Sequence, residues 1–205
     1  MTILIGAIHD GKAYIGADTL WTWSENFVRE HTTSKFVTVP VEGENEVLIA
    51  TSGQDKFTQI LDRVLRDKPE LINFKNRSGI LKLLDAFQRE VKAAGIGDAE
   101  NNQLPDHDLG FMIISSASNK IWVIESDYGV LGFEDYVCAG SGAYLGEAAM
   151  KALGKLDVFG GRAVKTALET VCEVHPYCGG TIETKEIELK LSEPTDIYFQ
   201  KTIII

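Results

Sequence analysis

The apolar periodicity of this chain changes in blocks rather than element by element. Two short strand-like runs come first, Ile3–Ile8 and Lys12–Ala17, which flank the turn pair Asp10-Gly11 and predict a hairpin. Polar residues fill Ser24–Ser34, after which Lys35–Pro40 and Glu46–Ser52 read as further strands. Gly53 marks a turn, and the period then becomes helical. Asp55–Leu65 places Phe57, Ile60, Leu61, Val64 and Leu65 on one face, and Ser78–Ala94 does the same with Ile80, Leu81, Leu84, Phe87 and Val91 before Gly95-Ile96-Gly97 stops it. A polar stretch at 98–107 reads as a loop. Strand signals return at Leu109–Ser115, Lys120–Glu125 and Tyr136–Ala139. Gly140-Ser141-Gly142 opens a helix through Leu153, Arg162–Val174 makes another, and strands at Thr181–Leu191 and Asp196–Ile205 close the chain. Strands, two helices, strands, two helices, strands is the order of an α+β architecture of segregated layers, not of alternating βαβ units.

Bulk properties remove several classes of function. The length of 205 residues suits one domain spanning 1–205. A net charge of −10, with no basic run, argues against a binder of nucleic-acid backbone. No apolar run approaches the roughly 20 residues needed to cross a bilayer, and no N-terminal signal is legible. Three cysteines, Cys138, Cys172 and Cys178, are odd in number and too sparse for a disulfide scaffold, so the expectation is a reduced, cytoplasmic protein.

Chemistry concentrates at the start of the chain. Thr2 follows Met1, and removal of Met1 leaves a residue that carries both a hydroxyl and a free α-amine. Such an amine titrates near ~7.7–8.0, so it can act as a base for its own side chain at cellular pH. Threonine at position two is otherwise an ordinary strand residue. Here it is followed by a Gly16-Ala17-Asp18 step and, further on, by Lys35 and Ser141.

With Thr2, Asp18, Lys35 and Ser141 marked, the chain resembles the proteasome β-subunit superfamily, and within it the HslV-type and small bacterial proteasome-like peptidases. The opening Thr-x-x-x-Gly, the Asp10-Gly11 turn and the Gly16-Ala17-Asp18 step match that family's first hairpin. Gly140-Ser141-Gly142 and the small-residue helix Ala143–Leu153 match its late strand-to-helix turn. The resemblance spans nearly the whole chain. It implies a four-layer α-β-β-α sandwich of two antiparallel sheets, the N-terminal-nucleophile hydrolase fold. It implies that Thr2 is the nucleophile, that Lys35 favours the deprotonated hydroxyl, that Asp18 holds the lysine charged, and that Ser141 supports the terminal amine. Gly53 lies near the family's oxyanion-hole glycine, Thr22 matches a residue whose backbone binds substrate, and Trp21 lies at a pocket position. The family acts on peptide or unfolded protein inside homo-oligomeric rings, commonly gated by an ATP-dependent unfoldase, with no cofactor and no metal.

Three departures stand out. The Asp18-to-Lys35 interval is one residue longer than usual. Ser52-Gly53 replaces a frequent Gly-Gly pair. His175 and Cys178 stand where many members carry an aspartate and a serine that support the amine. Two further readings therefore accompany the threonine peptidase: a catalytically silent ring scaffold, and a stand-alone amidase of the same nucleophile class. Other local patterns read as structural. Gly140-Ser141-Gly142-x-x-x-Gly146 lacks the βα unit and paired acid of a dinucleotide site. Cys172-x-x-His175-x-x-Cys178 lacks a fourth zinc ligand. Ser141 also suits a helix N-cap.

Overall fold

Alternating side chains along the strands assign each residue to one of two faces, and three apolar layers follow from that alternation. The computed structural model describes residues 1–23, 27–30, 34–37, 39, 46–95, 110–125 and 127–190, with 22–23 and 27–30 described as backbone. The predicted hairpin forms as β1 (Leu4–His9) and β2 (Lys12–Asp18), antiparallel, with Leu4 opposite Ala17 and His9 opposite Lys12. Chain order continues through β3 (Leu20–Trp23), β4 (Phe27–Glu30), β5 (Phe36–Val37) and β6 (Val47–Ser52) to α1 (Asp55–Asp67) and α2 (Arg77–Ala93). It then runs through β7 (Gly110–Ser115), β8 (Ile121–Ile124), β9 (Val130–Phe133) and β10 (Tyr136–Ala139) to α3 (Ala143–Gly154), α4 (Gly160–Val174) and β11 (Ile182–Glu188).

Two antiparallel sheets result, one ordered β10-β1-β2-β11 and the other β5-β6-β7-β8-β9, with β3-β4 as a separate ribbon. Ile3, Ile5 and Ala7 pack under α3 and α4 with Val164, Leu168 and Val171, while Leu4, between them, turns to the opposite face. That opposite face meets Met112, Ile114, Ile121 and Val123 of the second sheet. The intervening Phe111, Ile113, Trp122 and Ile124 point outward beneath α1 and α2, against Phe57, Leu61, Phe87 and Val91. Helix, sheet, sheet, helix is therefore the order of layers, the α+β sandwich that the sequence implies. Each fully buried aromatic or branched side chain in these layers contributes about 1.5–3 kcal/mol.

Several sequence expectations change. The polar stretch 24–34 contains β4, and β3 precedes it; the two pair with each other rather than with either sheet. Short β9, with Leu131 and Gly132 exposed, adds an edge strand that alternation did not mark. Leu81, expected on the buried face of α2, is 45% exposed; Leu83 takes the buried position. The last strand spans Ile182–Glu188 rather than Thr181–Leu191. In place of a strand over Lys35–Pro40, only Phe36–Val37 is strand among the described residues. The loop at 98–107 and the strand at Asp196–Ile205 lie outside the described residues. Among those described, no helix is long and apolar enough to cross a membrane.

Candidate active site

Thr2 is brought to a buried position by the strand that follows it. Ile3 has no exposure, and the chain enters β1 between β10 and β2, so Thr2 itself is only 4% exposed. Its main-chain nitrogen donates to Ser141 Oγ at 3.1 Å. The Ser141 hydroxyl donates back to the Thr2 carbonyl at 3.3 Å, and the Gly142 N–H donates to the same carbonyl at 3.1 Å. Thr2 Oγ1 donates to the Met1 carbonyl at 2.7 Å.

The turn between β10 and α3 is shaped around this contact. Gly140 has φ of +87°, and a Cβ built there would sit 2.4 Å from the Thr2 carbonyl oxygen. Close approach of backbone to backbone explains the glycine, and no phosphate cradle is needed to account for it. Ser141 is not the N-cap of α3; that position belongs to Gly142, and the serine hydroxyl is spent on Thr2.

Asp18 ends β2 with no exposure, and its carboxylate collects three groups. Oδ1 accepts from the Ile3 N–H at 3.0 Å and from Lys35 Nζ at 2.6 Å; Oδ2 accepts from the Gly179 N–H at 3.1 Å, and the Asp18 N–H itself donates to the Ile3 carbonyl at 3.4 Å. The Thr2–Ile3 peptide and the Lys35 ammonium thus converge on one carboxylate oxygen. Lys35 is 2% exposed. Burial pulls its ammonium below the usual 10.5, and the adjacent Asp18 carboxylate works against that pull. The ring of Trp21, half-buried in β3, has its centroid 6.0 Å from Lys35 Nζ. The structure therefore joins Thr2, Asp18, Lys35 and Ser141, and sets Trp21 beside them. Thr22 follows in β3, its backbone in register with Val28. Gly53, with φ of +100°, lies in the turn between β6 and α1.

The turn after α4 supplies residues that motif reading did not assign. Gly179 anchors Asp18, and its carbonyl accepts from the Leu20 N–H at 3.0 Å; Thr19 and Thr181 hydrogen-bond each other through both backbone and side chain. Cys178 is 3% exposed, and its thiol lies beside the Ser141 side chain. Burial pushes that thiol up to about 11, with Asp18 adding to the rise and Lys35 opposing it. His175 faces elsewhere: its Nδ1 accepts from the Tyr177 N–H at 3.2 Å and its ring meets the Tyr177 ring edge-on. Of the two substitutions in this turn, then, Cys178 reaches Ser141, and His175 is engaged with Tyr177. The Cys178-Gly179-Gly180 run was the available signal, since paired glycines mark a tight backbone approach. Among the described residues no group of three or more His, Cys, Asp or Glu side chains is placed to hold a metal ion.

No family model matches the chain, and no curated protein matches it either. Solved structures do. The chain is similar to BPH from Thiobacillus denitrificans, with a TM-score of 0.77 and 18% identity over 93% of this chain and 100% of that one. It is similar to the same protein in complex with epoxomicin, with a TM-score of 0.77 and 17% identity over 92% of this chain and 100% of that one. It is also similar to eukaryotic HslV from Trypanosoma brucei, with a TM-score of 0.63 and 17% identity over 91% and 99%. These likenesses show that the chain has the proteasome-like, HslV-type fold.

Proposed function

We propose that this proteasome-like chain is a threonine endopeptidase subunit whose nucleophile, exposed by removal of Met1, is Thr2. One observation carries the reading: the Thr2 nitrogen is held on Ser141 Oγ, while the next peptide shares an Asp18 oxygen with the buried Lys35 ammonium. Removal of Met1 converts that amide nitrogen into an amine and frees the Thr2 hydroxyl from the Met1 carbonyl it now bonds. The amine, directly or through a water, takes the Oγ proton as Oγ attacks the substrate carbonyl. Lys35, kept cationic by Asp18, favours the alkoxide character of Oγ. The N–H of Gly53 faces the developing oxyanion. Collapse of the tetrahedral species expels the amine half of the peptide, protonated by the terminal ammonium, and leaves an ester on Thr2. Water then hydrolyses the ester and restores the threonine.

The backbone of β3, at Thr22, receives an extended peptide as an added strand, and Trp21 lines the adjoining pocket. Peptide or unfolded protein is the substrate class, and homo-oligomeric rings enclosing a chamber, with an ATP-dependent unfoldase as partner, are the assembly that the fold suggests. The site is built from protein side chains and backbone, and the proposed reaction uses no cofactor or metal. Cytoplasmic placement goes with the same reading.

Intact mass after expression in cells, before and after an epoxyketone such as epoxomicin, tests the proposal. Loss of Met1 and one adduct mapped to Thr2 support it. Retention of Met1 with no adduct supports the second reading, a silent ring scaffold, which His175 favours: it stands in place of an aspartate and is engaged with Tyr177.

A further inference from the structure

Lys35 lies in a bend directly ahead of β5, one position beyond the pair Phe36–Ala50, so its carbonyl faces Thr51 of β6 at the end of that ladder. Two groups hold its carbonyl. The Thr51 N–H donates to it at 2.9 Å, and Thr51 Oγ1 donates at 3.3 Å. Thr51 Oγ1 also lies 2.7 Å from Thr58 Oγ1. A threonine hydroxyl has one proton. If Thr51 gives its proton to the Lys35 carbonyl, the 2.7 Å contact is satisfied by Thr58 donating to Thr51. The hydroxyls then form a directed chain, Thr58 to Thr51 to the Lys35 carbonyl, running from α1 through the end of β6.

Burial and side-chain direction make this chain more than a surface detail. Thr51 is 2% exposed. Its neighbours alternate as expected for a strand, with Ile49 under α1 and Ala50 between the sheets, so Thr51 shares the α1 side with Ile49. Valine would fill the same volume there with fewer unmet polar demands, since a buried hydroxyl must find partners. On the other side of Lys35, Ser34 Oγ donates to Glu183 of β11 and accepts from the Phe36 N–H at 3.1 Å. The residue before Lys35 is thus tied to one sheet, and Lys35 itself to the other.

We propose that Thr51, backed by Thr58, is a positioning residue that fixes Lys35 against Asp18 beneath Thr2. It touches neither substrate nor Thr2 and acts through the Lys35 backbone. The inference rests on the peptidase reading for its functional consequence but not for its structural one.

The test uses the full chain and three variants: T51V, which keeps volume and the backbone N–H; T51S, which restores a hydroxyl; and T58V, which removes the outer donor. With a fluorogenic peptide, T51V is expected to lower kcat by about tenfold to a hundredfold, the scale of a displaced catalytic group, with KM changed less than about twofold. T51S returns kcat to within about threefold of wild type. T58V falls between, and serves should T51V fail to fold. Crystal structures of wild type and variant read the position directly: the Lys35 Nζ to Asp18 Oδ1 separation, 2.6 Å here, is expected to lengthen beyond about 3.5 Å. If kcat, KM and that separation stay at wild-type values in T51V and T58V, or if T51S fails to restore what T51V loses, the proposal is overturned. A wild type that cleaves nothing and takes no epoxyketone defeats the peptidase reading instead. The crystallographic separation still decides the positioning claim in that case.

Discussion

At the scale of single residues, the cluster turns on how many groups each side chain serves. Among the described residues Lys35 Nζ pairs with one carboxylate, Asp18, whereas Asp18 accepts from the lysine and from two backbone amides, Ile3 and Gly179. Removing the lysine leaves a carboxylate still held by two N–H donors. Removing the carboxylate leaves a buried ammonium and two amides without an acceptor. D18A is therefore expected to destabilise the fold by about 3–5 kcal/mol. K35M is expected to cost less, by about 1–3 kcal/mol, the desolvation cost of the orphaned amides. Both should reduce peptide cleavage at least about a hundredfold, since K35M removes the cation near Thr2 and D18A removes the carboxylate that holds it charged and in place. Urea unfolding of the two variants, run beside the activity assay, checks the ordering; equal stability losses would mean that the amides find other acceptors. The grouping of Thr2, Asp18, Lys35 and Ser141 was legible in the sequence through their order and spacing, which resemble those of the proteasome β-subunit superfamily, rather than through any one motif. Gly179 and Thr51 were not, because one acts through its backbone N–H and the other through the backbone of Lys35. A hydrogen bond to or from a main chain leaves almost no mark on residue type.

Elements were legible by how many faces they bury. β1 and β2, buried on both faces, read as short apolar runs, while α1 and α4 each turn one side to an apolar layer and show the helical period. Among the described residues the ribbon β3-β4 lies outside both sheets, so alternation is weak there. β9 is an edge strand with a glycine in it, which dilutes the same signal. Glycine illustrates the difference between a local and a tertiary demand. Gly11 has φ of +73° with open space around it, so G11A meets only the left-handed strain, about 1–2 kcal/mol. Gly140 has φ of +87° and the Thr2 carbonyl in the place a Cβ would take. G140A must push the β10–α3 turn away from Thr2, and Ser141 goes with it. Thermal melts should show G140A losing more stability than G11A, and epoxyketone labelling should slow sharply in G140A while G11A labels at the wild-type rate. Labelling at the wild-type rate in G140A would show that Thr2 does not depend on the turn.

Across the whole molecule, the cysteine thiols gather in the layer between the first sheet and α3 and α4, next to the strand that Thr2 leads into. Cys138, Cys172 and Cys178 are the three thiols, and burial raises all of them from 9.0, Cys178 to about 11 and Cys172 to about 12. Between pH 9 and those folded values the native state holds protons that the unfolded chain has released. Unfolding then gains free energy from proton loss, and stability falls as pH rises through the window. Lys35 acts with the opposite sign: its folded value is lowered, so the unfolded chain binds the extra proton below 10.5 and stability rises with pH there. The raised thiols, joined by Tyr128, Tyr136 and Lys12, whose values the fold also raises, outweigh one lowered ammonium and give a net loss. At pH 10.5, Cys178 alone accounts for a loss on the order of 1–2 kcal/mol, offset in part by Lys35. Urea midpoints measured under reductant from pH 8 to 11 are expected to be flat up to about pH 9 and to fall beyond it. The variant C178S removes one of the three thiol titrations and should flatten the fall while leaving the midpoint at pH 8 little changed, because a serine hydroxyl there can hydrogen-bond Ser141. A curve for C178S that falls as steeply as wild type would assign the alkaline limit to other groups, Cys138 and Cys172 first among them.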